Sequence, residues 1–484
     1  MKKYLIVILI GTCLLTACNK SGEGKESKSE IESKEDFTGL SIEERFDKID
    51  RIKSYKEIEN YTTSLYQKVY EIQFEQDVDH TDKSKGTFLQ QLQFGFVDFS
   101  AHNVLVSEGY FLDWNYSYPY MDSQSELSFL LEANFLAMEH RYFGTSLPVQ
   151  IDYYNIDSWS YLTTKQAADD AHEVVKEFKR ILDGKWISEG ASKGGMTTEL
   201  FCLYHPGDVD VYVPYVAPFC NGFYDKRAYK FIYEEAGDRQ YGKEQAAKYR
   251  SEVLEFQIKM LEYRDEFAPK YFNSAKSENV KLSTYATADN IYDAAILEFA
   301  YGLWQYYQSF DKMEDILKLS DSNSNKKNRL YNYFTSIINI SDLAVDDEFA
   351  PYYVQAYQEL GNYGYDYSYI REAIKGNSKA YISVDENEEQ YLAKHLLLNE
   401  ELYKLPEKEL CYTAINNMLK TTNEKFIIIY GSSDPWYSVR PDDVTGRDNI
   451  SIYVNTSSPH SACISNINAR VAEEIITKIN QYLS

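Results

Sequence analysis

Histidine is scarce in this chain, with seven in 484 residues, so few positions can supply an imidazole base or a nitrogen ligand to a metal. No H-E-x-x-H pair, no phosphate-cradling loop and no dinucleotide fingerprint occurs, which removes the zincin, P-loop and Rossmann classes. The stretch Asp321-Ser322-Asn323-Ser324-Asn325 begins like a calcium loop. Lys326 stands where the sharp turn needs Gly and Asn332 where the bidentate Glu belongs, so no calcium site is expected. No C-x-x-C pair is present, which excludes a thiol redox motif and a zinc ribbon. Positive charge is also short: 50 Lys and Arg face 75 Asp and Glu, for a formal charge of −25. That balance disfavours nucleic acid or anionic head groups as partners of the folded domain. No cofactor and no metal are expected. What is abundant is tyrosine, with 45 residues.

The N-terminus reads as a targeting segment. Lys2 and Lys3 precede an apolar run from Tyr4 to Leu15, too short for a membrane span and suited to a signal-peptide core. It ends in Leu15-Thr16-Ala17-Cys18, which resembles the lipobox of bacterial lipoproteins. The resemblance implies cleavage before Cys18, lipidation of Cys18, and a protein held to the cell envelope outside the cytoplasm through that membrane anchor. Residues 18–36 are nearly all Ser, Gly, Lys and Glu and cannot bury enough surface to offset their ordering entropy, so they are expected to be a flexible tether. Ser41 with Glu44 then has the spacing of a capping box opening a helix. Four cysteines remain beyond the leader, Cys202, Cys220, Cys411 and Cys463; they can pair in three ways or stay free thiols.

Periodicity outlines the domain. Alternation at Tyr70–Phe74 and extended character at Phe88–Phe99, Asn103–Val106 and Phe135–Met138 predict strands. Apolar residues from Ala167 to Leu182 recur at helical spacing, opened by Thr163 with Gln166 as a second capping box. Strands are predicted at Lys185–Ser188, Val209–Val216, Phe426–Tyr430 and Ile450–Val454, and a last helix from Ser465 to Tyr482. Between them, Lys243–Phe267 and Ala294–Phe310 read as helices. Strands alternating with helices indicate a mainly parallel sheet covered on both faces.

The chemistry begins at Gly190-Ala191-Ser192-Lys193-Gly194, a G-x-S-x-G between a predicted strand and a predicted helix from Gly195 to Tyr204. That context is a nucleophile elbow and points to an α/β-hydrolase fold with Ser192 as nucleophile. A serine hydroxyl needs a base and a group to orient the base. In this fold the acid and then the histidine follow the serine along the chain. Of the later histidines, His205 comes too soon after the elbow, His395 falls in the helical stretch, and His460 follows the last strand. The acid belongs after the preceding strand, where Asp434 stands in Gly431-Ser432-Ser433-Asp434-Pro435-Trp436; Asp442 and Asp443 lie further from the strand end. Oxyanion donors are expected at the Lys193 amide, beside the nucleophile, and at the Tyr110 amide in the loop after an earlier strand. The implied organisation is a signal peptide at 1–17, a tether at 18–36, hydrolase core at 37–219 and 424–484, and a mainly helical cap insertion at 220–423.

Four segments carry a family resemblance. Ser192-Lys193-Gly194-Gly195-Met196-Thr197 resembles the elbow of the secreted bacterial prolyl tri- and tetrapeptidyl aminopeptidases. Glu139 to Pro148 and Tyr161 to Asp169 resemble both that family and the related lysosomal prolyl carboxypeptidase and dipeptidyl peptidase II group, and Gly431 to Trp436 is similar to their acid loop. The resemblance implies a serine exopeptidase that releases short peptides from a free N-terminus, often after proline. Glu108 occupies the place of a Glu-Gly pair in the relatives, where a carboxylate could bind the substrate ammonium or be satisfied by loop amides. Glu139, His140 and Arg141 are expected to form a structural salt-bridge and hydrogen-bond cluster, with direct substrate contact as the alternative. Rival readings are an esterase or lipase with the same triad and an inactive surface-binding lipoprotein.

Overall fold

The computed structural model describes residues 37–59, 61–112, 125–320, 322–323, 325–345, 348–405, 408–442, 444 and 446–484. The leader, Cys18, the tether and Asp443 lie outside them. Nine strands among these residues build one sheet: β1 (Ile52–Glu57), β2 (Lys68–Asp77), β3 (Thr87–Phe96), β4 (Asn103–Ser107), β5 (Asn134–Met138), β6 (Trp186–Ala191), β7 (Val211–Tyr215), β8 (Phe426–Gly431) and β9 (Ile450–Asn455). Their order is β1-β2-β3-β5-β4-β6-β7-β8-β9. Pairing is antiparallel from β1 to β5 and parallel from β5 through β4, β6, β7 and β8 to β9. The parallel strands are covered on both faces, and every residue of β4, β5, β7 and β8 is buried. This explains their continuous apolar runs, such as Ile427-Ile428-Ile429, in place of alternation.

β1 is absent from the sequence reading. Its IKSYKE has an exposed or half-exposed residue at every position, because it is an edge strand paired on one side only. Lysines at such an edge discourage pairing with other chains. The capping box at Ser41 and Glu44 opens the helix Ile42–Phe46 as expected. At Thr163 only half of the predicted box forms. The Thr163 hydroxyl accepts from the Gln166 amide, but the Gln166 side chain turns away to Asp79 and the His80 N–H. The helix it opens, Thr164–Phe178, joins β5 to β6, and Lys193–Tyr204 joins β6 to β7. The last helix starts at Ala469 instead of Ser465, after a short 3-10 turn at Ile464–Asn466. It lays Ile475, Ile479 and Leu483 on a core containing Ile187, Val213 and Ile429. Each such side chain contributes about 1.5–3 kcal/mol when fully buried.

From the end of β7 to the start of β8 the described elements are all helical. The predicted helix Lys243–Phe267 is two helices, Lys243–Glu262 and Arg264–Ser277. At their junction Arg264 turns inward and pairs with Asp289 and the buried Asp293. The predicted helix Ala294–Phe310 is Ala288–Gly302 followed by a π-turn at Leu303–Tyr307, which ends where Gln308 adopts a left-handed conformation. Widened turns of this kind collect at functional sites. The four described cysteines are free thiols, three of them buried. Among the described residues no helix is long and apolar enough to cross a membrane.

Candidate active site

Ser192 sits in the sharp turn between β6 and the helix Lys193–Tyr204, at φ 56° and ψ −119°. A non-glycine residue rarely holds a positive φ, and such strain persists only where the surroundings over-determine it. Here the Ser192 N–H donates to the Tyr215 carbonyl at 2.9 Å and its carbonyl accepts from the Met196 N–H at 3.0 Å. The turn also needs a close approach of backbones: a Cβ on Gly194 would lie 2.1 Å from the Ser107 carbonyl oxygen. The small residues around the serine therefore let the helix start press against the end of β4.

The residues expected as acid and base follow the ends of β8 and β9. Asp434 is fully buried and divides its two oxygens between two tasks. Oδ1 accepts from the Trp436 N–H at 3.0 Å, capping the turn Pro435–Val439, and Oδ2 meets His460 Nδ1 at 2.6 Å. Asp442 instead takes the Tyr412 hydroxyl and the Lys420 ammonium. A Cβ on Gly431 would fall 1.8 Å from the Pro459 carbonyl oxygen, so only glycine there lets the two loops touch. The cap completes the histidine's surroundings. His460 N–H donates to the Gln305 carbonyl at 3.1 Å, and the Tyr306 ring stands edge-on to the imidazole at 5.5 Å. His460 Nε2 is buried and makes no hydrogen bond, to Ser192 included.

The other two histidines after the elbow have different partners. His205 Nε2 meets Asp169 at 2.8 Å and stacks on His172. His395 lies in the cap among Tyr285, Tyr391 and Tyr403. Among the described residues His172, His205 and Asp208 form the one group with metal-ligand spacing, and its donors are taken up by Asp208 and Asp169.

The amides of Lys193 and Tyr110 are both free of other acceptors among the described residues. Three ties hold the Tyr110 loop in place. Tyr110 O accepts from the His140 N–H at 2.9 Å, and Glu139 Oε1 accepts from the Leu112 N–H at 3.0 Å. The third was not read from the sequence: the Lys193 side chain, only 2% exposed, donates through Nζ to the Gly109 carbonyl. Burial holds that ammonium well below the usual lysine range, between the rings of Tyr110 and Phe143. The Glu139–Arg141 segment is densely hydrogen-bonded. Glu139 Oε2 accepts from the amides of Thr145 and Ser146, and Arg141 grips Asp170 with two bonds of 2.7 and 2.6 Å.

Two cavities flank the elbow. The larger, about 720 Å³, is lined by Ser192, Lys193, Tyr110 and Trp436 from the core and by Tyr306, Tyr363, Glu298 and Asp342 from the cap. The smaller, about 280 Å³, is lined by Gly190, Ala191 and His460 with Glu108, Glu126 and Glu189. Glu108, expected near a substrate amine, thus lines the histidine side and not the cavity holding Ser192. Burial pushes its carboxyl up to about 7, and that of Glu189 up to about 8. In the larger cavity burial pushes Glu298 up to about 7. Glu298 gave no motif signal, because it lies on a cap helix that reads as ordinary amphipathic sequence.

A family model described as PS-10 peptidase S37 matches residues 39–477. Over 438 residues, 90% of this chain and 82% of the relative, the sequence is 24% identical to the prolyl tri/tetrapeptidyl aminopeptidase of Streptomyces mobaraensis. Among solved structures, the acetyl xylan esterase of Paenibacillus sp. R4 aligns over 91% of this chain and 92% of its own at 10% identity and a TM-score of 0.35. The proline iminopeptidase of Mycobacterium smegmatis aligns over 84% and 98% at 9% identity and a TM-score of 0.32. Scores this low carry no argument, and the fold assignment rests on the sheet order and the elbow. With the family matched across nearly the whole globular part, this chain belongs to the PS-10 peptidase S37 family and is a serine peptidase with an α/β-hydrolase fold.

Proposed function

We propose that this protein is an exopeptidase that releases short peptides from free N-termini, with proline at or beside the cut, through a Ser192–His460–Asp434 triad. Ser192 Oγ attacks the scissile carbonyl while His460 Nε2 takes its proton. The amides of Lys193 and Tyr110 receive the oxyanion. His460 then gives the proton to the leaving amine, and water hydrolyses the acyl ester by the same route. Asp434 holds the imidazole tautomer and stabilises the imidazolium.

The observation that carries the mechanism is the buried 2.6 Å Asp434–His460 bond beside a strained serine at a helix start. Nε2 is left unpartnered for a proton, and catalytic hydrogen bonds often tighten only when substrate binds. Exopeptidase action is supported by the helical elements of the cap, which line the serine's cavity together with the core. Proline preference is supported by the aromatic lining of Tyr306, Tyr352, Tyr363 and Trp436, flat faces suited to a pyrrolidine ring, and by the name of the Streptomyces relative.

Ser192→Ala is expected to abolish turnover with an unchanged melting temperature. Mass spectrometry of a mixed peptide library gives the cut position, the dependence on a free amine and the residue before the cut. Normal hydrolysis by the variant rejects the triad, and preference for aryl esters with indifference to amine blocking favours the esterase reading. The Leu15–Cys18 lipobox supports lipidation and an envelope location. Labelled palmitate should enter the wild-type protein and not Cys18→Ser; equal labelling rejects the anchor.

A further inference from the structure

Among the described residues, the cavity that holds Ser192 carries carboxylates without a free Lys or Arg to match them. Glu298, Asp342 and Glu348 all line it. Among the described residues the one Lys or Arg in the lining is Lys193, and its Nζ is committed to the Gly109 carbonyl. Asp342 is occupied by the Asn339 N–H at 2.7 Å. Glu298 is different. The Tyr363 hydroxyl bridges both of its oxygens, at 2.9 and 3.0 Å, and among the described residues it has no Lys or Arg partner.

Tyr363 is itself braced. Its ring stacks on Tyr301 at 4.2 Å and meets Trp436 edge-on at 5.2 Å, and Trp436 follows the Asp434 turn. Glu298 is therefore held in a fixed place relative to the Asp434 loop; Tyr365 is a second phenol beside it, and two hydroxyls leave part of the carboxylate's acceptor capacity open. Glu298 is half-buried, and a carboxylate drawn partly out of water gains from a cation that a ligand supplies.

We infer that Glu298, held by Tyr363, binds the α-ammonium of the substrate's N-terminal residue and thereby sets where Ser192 cuts. This rests on the exopeptidase reading above and deepens it. A primary ammonium suits the site better than a metal ion. Hard divalent cations need six or more oxygens, and among the described residues no group of three His, Cys, Asp or Glu with ligand spacing lies in this cavity. An ammonium needs few acceptors and gains from the aromatic faces of Tyr306 and Tyr363.

A substrate lysine side chain offers the same chemistry, so the test separates the two sources. Peptidyl-proline p-nitroanilides are compared with the amine free or acetylated, and with lysine or norleucine at an inner position. Glu298→Gln should lower kcat/KM about 10- to 100-fold for free-amine substrates, mainly through KM, as expected for one charge-assisted contact. Acetylated substrates should be unaffected. Tyr363→Phe should produce a smaller loss in the same direction, and it keeps the test open if Glu298→Gln fails to fold. Labelling of Ser192 by a phosphonate reports an intact site. Equal loss on free and acetylated substrates, or undiminished amine preference in both variants, overturns the inference. So does a loss that follows lysine in place of the free amine. Wild-type protein that cuts free and acetylated peptides equally overturns the exopeptidase reading and this inference with it, a result distinct from wild-type preference that survives the substitutions.

Discussion

The two cavities beside the elbow invite comparison, because each holds a carboxyl group that burial pushes to about 7, Glu298 in one and Glu108 in the other. By proton affinity alone they rank the same. Their surroundings separate them. Glu298 shares its cavity with the nucleophile and is held by a phenol that leaves it room to accept more. Glu108 shares its cavity with Glu126 and Glu189, on the histidine side, where Glu126 accepts from the Ile464 N–H and Glu189 from the Ser125 hydroxyl. The smaller cavity has the character of a support for the His460 loop, and the larger that of a substrate site. A perturbed carboxylate marks a functional candidate only together with what it faces.

The largest effect that can break this division comes from His460, which lines the smaller cavity while packing on Tyr306 of the larger. Asp434→Asn keeps the shape and removes the charge that fixes the tautomer. It should lower kcat by a factor on the order of 10³ to 10⁴ with KM little changed. Steady-state kinetics check this, and a loss under tenfold would place His460 outside the chemistry. Next comes the wall between the cavities. Lys193→Met deletes the tie to the Gly109 carbonyl and frees the loop that carries the Tyr110 amide. An about 10- to 100-fold fall in kcat is expected, with KM nearly constant and slower phosphonate labelling, because one displaced oxyanion donor costs at most about 10³. A loss confined to KM would show that the side chain serves binding instead.

The smallest effect belongs to the smaller cavity itself. Glu189 is 4% exposed and its carboxyl is raised from 4.5 to about 8 by burial. The folded state thus keeps a proton that the unfolded state releases. Stability should fall as pH rises from about 4.5 to about 8 and level off above, since the folded form binds more protons across that window. Glu189→Gln removes this term. Denaturant melts should show the variant gaining on wild type by about 1–3 kcal/mol at pH 8 relative to pH 5, with amine preference intact. A parallel loss of amine preference would merge the two cavities into one site.

Much of the site was legible before folding was considered, for local reasons. The strand-turn-helix pattern around Ser192 is a short-range signal, and small residues at 190, 191, 194 and 195 have few other uses in that order. His460 and Asp434 were picked out as candidates by elimination, since few histidines follow the elbow and the acid is expected after the preceding strand. β1 escaped because an edge strand need not alternate. The break at Tyr263 escaped because both halves keep helical spacing, while a buried ion pair at Arg264 turns the chain. Glu108 was left with two readings, a contact to a substrate amine or satisfaction by loop amides, on the strength of a dipeptide. Which cavity its side chain would reach depends on how β4, β6 and the His460 loop pack, and no dipeptide encodes that.

The sequence by itself determined most of the strand and helix succession, the tight turn at Ser192 and the chain order of the proposed acid and base, because turn chemistry and periodicity act over a few residues. Tertiary structure alone decided that Gln305 and Tyr306 meet His460, that Lys193 ties down Gly109, and that Glu298 and Tyr363 face Ser192. Those contacts join residues dozens to more than a hundred and fifty positions apart, and their charge states follow from burial, which exists only once the cap and sheet have packed.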